Sequence, residues 1–213
     1  MACRAILFDL DGVLVDSRRC IELIWHAWAA RRGLDPAPFL RVAHGRRTSE
    51  TIRMVAPDLD VATAAAELDA MEAVETRGLT PAPGALALLA VLAGTEWAVV
   101  TSGGHAVATL RLRTSGLPIP GVFVTADDVL RGKPDPEGYL LAASRLGVGP
   151  HDCIVIEDSP TGLAAARAAG MRTIAVLTTY EAGALGEADA RLPSLVGLRL
   201  RRADGATSLA LDF

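Results

Sequence analysis

The sequence predicts an α/β protein, a doubly wound parallel sheet carrying an inserted small helical domain and a C-terminal β-hairpin. Three observations support this class. Short apolar runs rich in β-branched residues recur along the chain, as strands buried on both faces require. Segments with helical periodicity and clear end signals separate those runs. One long stretch, residues 17–80, contains no strand-like run at all.

In chain order, strands are expected at 5–8, 97–100, 122–124, 153–156 and 173–177. The intervening helices are bounded by residues that suit helix ends. The pattern over 84–93 stops at Gly94, Asp135 and Pro136 open a helix that Gly147 closes, and Ser159 and Pro160 open another that ends at Gly170. Alternation of this kind builds a parallel sheet through right-handed crossovers. Within 17–80 the periodicity predicts helices at 17–32, closed by Gly33, at 48–55, and at 60–77, closed by Gly78. Placed directly after the first strand, this block is expected to stand above that strand's C-terminal end. It divides the chain into a core of residues 1–16 and 81–213 and a helical cap of residues 17–80. The final stretch, LRLRRADGATSLAL, alternates apolar and polar residues around Asp204-Gly205, a hairpin signature.

A chain of 213 residues can fill one core and an accessory domain without a partner, so a monomer or weak dimer is expected. The net charge is -4 and the arginines are scattered, which argues against nucleic acid. No apolar run approaches the roughly 20 residues that span a bilayer, so no membrane partner is expected and the cytoplasm is the expected location. Cys3, Cys20 and Cys153 are far apart and in no metal-type spacing; they read as small buried apolar residues.

The polar residues that follow the strands carry the chemistry. Asp9 and Asp11 follow the first strand, Thr101 and Ser102 the second, and Glu157 and Asp158 the fourth. In open α/β sheets ligands bind at that edge, so these groups are expected to converge in one crevice. Alone, one Asp there would read as a turn or cap former. Together the four carboxylates would repel one another and so require a cation. With no His or Cys beside them they suit a hard ion with oxygen ligands, namely Mg2+.

Of the 21 basic residues 20 are arginine, and the single lysine is Lys133 in RGKPDP. An ammonium is a compact point charge, whereas a guanidinium needs room and a planar partner. A tight site that already holds carboxylates, a metal and a tetrahedral anion would accept only the former. Lys133 is therefore expected at the same crevice.

In order and spacing, FDLDGVLVDS, VVTSGG, RGKPDPEGY and VIEDSPTGLAAARAAG resemble the four motifs of the haloacid dehalogenase superfamily of phosphohydrolases. The resemblance spans nearly the whole chain and implies a Rossmann-like core. The cap, with HGRRTSETIRMVAPD, is most similar to the glycerol-phosphate and sugar-phosphate phosphatase branch. The resemblance implies Asp9 as nucleophile, forming an aspartyl-phosphate, and Asp11 as general acid and base. It implies Mg2+ held by Asp9, the Asp11 carbonyl and Asp158, with Glu157 close behind. Gly12, Thr101, Ser102, Gly103 and Lys133 would surround the phosphate, Thr101 and Lys133 also serving catalysis. The absence of a cap lysine excludes the Schiff-base phosphonoacetaldehyde hydrolases, and Asp11 argues against a true dehalogenase.

In the cap, His44, Arg46 and Arg47 flank Gly45 in a loop that could lean over the crevice and set specificity, and His105 could face the site from below. Trp25 and Trp28, at helical spacing, suit packing better than substrate stacking. The expected function is Mg2+-dependent hydrolysis of small sugar or polyol phosphates, such as glycerol or hexose phosphates. A phosphosugar mutase of the β-phosphoglucomutase type and a non-catalytic sugar-phosphate binder remain as alternatives.

Overall fold

The computed structural model describes residues 1–92, 97–202 and 209–212. In chain order the elements are β1 (Ala2–Cys3), β2 (Ala5–Phe8), β3 (Val15–Asp16), α1 (Arg18–Arg32), α2 (Ala37–Ala43), α3 (Thr48–Val55) and α4 (Val61–Glu72). There follow β4 (Thr80–Pro81), α5 (Ala85–Leu89), β5 (Trp97–Val100), α6 (His105–Thr114), β6 (Val122–Val124), α7 (Glu137–Leu146) and β7 (Cys153–Glu157). The chain ends with α8 (Pro160–Ala168), β8 (Arg172–Val176), β9 (Ala190–Leu192), β10 (Arg199–Arg202) and β11 (Leu209–Asp212).

Six strands form one parallel sheet in the order β6-β5-β2-β7-β8-β9. Every residue of β2, β5 and β7 is buried, which explains their unbroken apolar runs. Because side chains alternate across a strand, Ile6 and Phe8 enter one core with Trp97, Val99, Ile154 and Ile156. Ala5 and Leu7 enter the other, against Tyr139, Ala142 and Ala143 of α7 and Ala165 and Ala166 of α8. The alanines of these two helices let them lie close on the sheet. The register pairs Phe8 with both Val99 and Ile156, so the carboxyl ends of the three central strands stand level.

Between the short antiparallel pair β3 and β4 the chain forms the four helices α1–α4. Gly33 closes α1 in the left-handed conformation, φ 66°, as its position predicts. Trp25, Trp28 and Phe39 pack together, Trp25 stacking on Phe39 at 5.3 Å between ring centroids. Two expectations need correction. The sequence patterns assign no element to the segment that forms α2; Asp35 accepts the Ala37 N–H where the helix begins, and Phe39 gives it one buried anchor. Helix α4 ends at Glu72 rather than near Arg77, where Glu75 instead binds the Thr76 and Arg77 N–H groups and the Arg77 guanidinium in a local turn.

Strand β9 was also unforeseen. Three residues long, it is held through Asp189, which accepts from the Thr173 N–H and hydroxyl, rather than by an apolar run. β10 and β11 pair antiparallel as the sequence predicts, and β11 also pairs with β1. The expected turn at Asp204-Gly205 and the expected stop at Gly94 lie outside the described residues. Cys3, Cys20 and Cys153 are buried, as small apolar residues would be, and none is in a disulfide. Among the described residues no helix is long and apolar enough to cross a membrane.

Candidate active site

The level strand ends bring Asp9, Thr101, Glu157 and Asp158 to one edge of the sheet. The Asp9 N–H donates to the Ile156 carbonyl and the Thr101 N–H to the Val124 carbonyl, so both residues leave their strands in fixed directions. Lys133, on the loop before α7, reaches into this edge and is buried. Its ammonium donates to Asp9 Oδ1 at 2.5 Å, Glu157 Oε1 at 2.6 Å and the Val100 carbonyl at 3.1 Å. Three acceptors at those directions use all three ammonium protons, a geometry that a planar guanidinium cannot reproduce.

Glu157 is wholly buried and fully engaged. Oε1 also accepts the Tyr139 hydroxyl at 2.8 Å, and Oε2 accepts the Asp158 and Ser159 N–H groups and the Ser159 hydroxyl at 2.9–3.0 Å. Gly162 makes room for it, since a Cβ there would fall 1.6 Å from Oε1. Ser159 serves twice, because its hydroxyl also accepts the Gly162 N–H at the start of α8.

Carboxylate oxygens of Asp9, Glu157 and Asp158 lie within 4.8 Å of one another. Burial, more than the Glu157 and Asp11 charges, pushes the Asp9 carboxyl up to about 7 against the pull of Lys133. Burial, then the charges of Glu157 and Asp9, raises Asp158 well above the usual carboxylate range. The same two neighbours that crowd Asp158 hold Lys133 protonated: against burial, which lowers it, Asp9 and Glu157 raise its pKa. One ammonium thus faces three buried carboxylates, and the excess negative charge fits a hard cation. Asp9 and Asp158 could hold such an ion, while both Glu157 oxygens accept from protein donors. Gly12, at φ +81°, allows the approach, for a Cβ there would fall 1.9 Å from Asp158 Oδ2.

Beside the carboxylates, the Thr101 hydroxyl accepts the Gly103 N–H at 3.1 Å, shaping the turn that leads into α6. From α6 comes a residue that the sequence analysis did not single out. Arg111 is buried and donates to Asp11 Oδ2 at 2.5 Å and to Glu72 Oε2 of α4 at 3.1 Å. Asp11 Oδ1 is buried with no partner among the described residues. The signal was available: Val107, Ala108, Arg111 and Leu112 share the buried stripe of α6, and a charge on such a stripe demands a partner.

The helices α1–α4 roof this edge. The Gly45 carbonyl accepts the Ser102 and Thr161 hydroxyls, and the His44 carbonyl accepts the Tyr180 hydroxyl. Arg47 inserts between elements, donating to the carbonyls of Ala126, Val129 and Leu130. Its guanidinium is therefore held by the backbone of the opposite wall. Beneath the roof lies a cavity of about 50 Å3 that Asp9, Asp11, Thr101, Ser102 and Gly103 line from the sheet side. His44, Arg46, Thr51 and Glu72 line it from the helical side, together with Trp25. Burial lowers the His44 pKa, against the opposing charge of Asp11. His105 is exposed and lies against Phe123 at 5.2 Å, away from this lining.

Known proteins resemble this chain in sequence and in fold. Residues 3–170 match the family model of haloacid dehalogenase-like hydrolases. The chain is 46% identical to hexitol phosphatase A of Escherichia coli over 92% of this chain and 93% of that protein. It is 34% identical to glycerol-1-phosphate phosphohydrolase 2 of Saccharomyces cerevisiae, over 86% and 78%. Among solved structures, CbbY of Rhodobacter sphaeroides in complex with phosphate superposes with a TM-score of 0.76 at 26% identity, covering 92% and 96%.

Proposed function

The chain belongs to the haloacid dehalogenase-like hydrolases and is a phosphomonoesterase, and we propose that it is a Mg2+-dependent phosphatase of small sugar and polyol phosphates acting through an aspartyl-phosphate on Asp9. The observation that carries this reading is the pairing of Asp9 with Asp11. One carboxylate is held against an ammonium, and the other presents a free, buried oxygen to the same cavity.

In this reading Asp9 Oδ2, the oxygen that Lys133 does not bind, attacks phosphorus and the bond to the leaving oxygen breaks in line. Asp11 Oδ1 delivers a proton to the departing alkoxide, then takes one from the water that attacks the acyl phosphate. That second attack releases inorganic phosphate and returns Asp9 to its starting state. Arg111 grips Asp11 by Oδ2, which leaves Oδ1 unpaired among the described residues. Lys133 offsets the charge of Asp9 and the transferring group, and the Thr101 hydroxyl and the turn at Ser102 and Gly103 hold phosphate oxygens. Asp9, the Asp11 carbonyl and Asp158 would hold Mg2+, with Glu157 behind them; the ion neutralises phosphate charge when bound. Helices α1–α4 serve as a cap that opens for substrate and closes through Gly45 and Arg47. We place the protein in the cytoplasm, as a monomer or weak dimer, where cysteines outside disulfides are the rule.

Rapid quenching with a labelled small phosphate tests the covalent step. Label that stays with the protein, is released by hydroxylamine and is lost in Asp9→Asn supports it. Turnover with no labelled protein under single-turnover conditions would remove it. A requirement for an added bisphosphate would instead favour a mutase.

A further inference from the structure

The cavity has a pole that the reaction at Asp9 does not use. Thr51, on α3, is completely buried, yet its hydroxyl oxygen has no partner among the described residues, and the residue lines the cavity. Glu72, at the end of α4, lines it too and is fixed through Oε2 by Arg111, with its side chain only 10% exposed. A buried hydroxyl without a partner costs free energy, and a ligand that supplies the missing bond recovers it. The Arg111 charge is already committed to Asp11 and Glu72, so Thr51 and Glu72 themselves offer hydrogen-bonding groups and not a cation.

We infer that Thr51 and Glu72 select the leaving group by binding its hydroxyls, Arg111 acting as the positioning residue that holds Glu72 in place. The inference rests on the phosphatase reading and specifies its substrate class: phosphates whose leaving group carries several hydroxyls and no second charge. A site built to bind hydroxyls discriminates strongly against an analogue that lacks them, because its own polar groups are then left unpaired. Arg46 also lines the cavity, so preference for an anionic leaving group is the competing outcome.

The test compares kcat/KM for a hexitol 6-phosphate and glycerol 1-phosphate with that for ethyl phosphate and phosphoglycolate, in wild type, Thr51→Val and Glu72→Gln. Both substitutions nearly conserve shape, and thermal melts verify folding. The expected result is a wild-type preference for the polyhydroxylated esters. In each variant the ratio of hexitol phosphate to ethyl phosphate falls by about tenfold or more, mainly through KM. Ratios unchanged in both folded variants, or a wild-type preference for phosphoglycolate, would overturn the inference. Failure of wild type to release phosphate from any of the four esters with Mg2+ would count against the phosphatase reading itself.

Discussion

The Lys133 ammonium lies 2.5 Å from Asp9 Oδ1, although 124 residues separate the two in sequence. The contact is buried and shared with Glu157, so the lysine acts as the counter-charge for a site otherwise made of carboxylates. Its removal leaves Asp9 and Glu157 in a low-dielectric site without a cation. For Lys133→Met, denaturant unfolding without metal should show a loss of about 3–5 kcal/mol, and phosphate release should fall by at least about a hundredfold. Lys133→Arg should not restore activity, because its fork cannot meet three acceptors spaced as these are.

The raised carboxyl of Asp9 makes stability depend on pH in a defined direction. Its folded value of about 7 lies above the ordinary 3.8, so its contribution to stability is present at low pH and lost as pH rises through about 7. Metal-free protein in a chelator should therefore melt several degrees lower near pH 8 than near pH 6. Added Mg2+ should raise the melting temperature more at the higher pH, since the ion binds ionised carboxylates. Melting curves at the two values, with and without the ion, check both statements.

Arg111 joins Asp11 to Glu72 across the cavity. Arg111→Met should cost about 3 kcal/mol, from two carboxylates left without a partner, and should lower kcat by at least about tenfold through misplacement of Asp11. Chemical denaturation and steady-state kinetics on one preparation separate the two effects.

Arg47 ties the helical segment to the carbonyls of residues 126, 129 and 130. Hydrogen bonds from a charged donor contribute about 1.5–3 kcal/mol each at best, so Arg47→Ala should weaken closure. The expected result is a KM raised about tenfold or more for small phosphates, with little change in the melting of the sheet.

Much of this arrangement was legible in the sequence because it depends on local rules. Buried parallel strands read as unbroken apolar runs, and the polar residues just beyond 5–8, 97–100 and 153–156 had to share one edge. Lys133 could be read as well, since one lysine among 20 arginines is a choice of shape as well as charge. Contacts between distant residues were harder to foresee. Arg111 looks like its neighbour Arg113 in RLR, and only the helix phase, together with a partner 100 residues away, distinguishes them. Tyr139 and Ser159 likewise join the site through Glu157, which the spacing of residues does not announce. Short elements were missed for a related reason: β9 and α2 are set by Asp189 and Asp35 side chains rather than by apolar periodicity.

The most direct measurement is inorganic phosphate release from glycerol 1-phosphate, a hexitol 6-phosphate and 2-deoxyglucose 6-phosphate by wild type and Asp9→Asn, each with Mg2+ or with a chelator. Turnover by wild type only when Mg2+ is present, and none by Asp9→Asn, is the expected result. Metal-independent release, or turnover that survives Asp9→Asn, would contradict the assignment of Asp9 as the nucleophile of a Mg2+-dependent phosphatase.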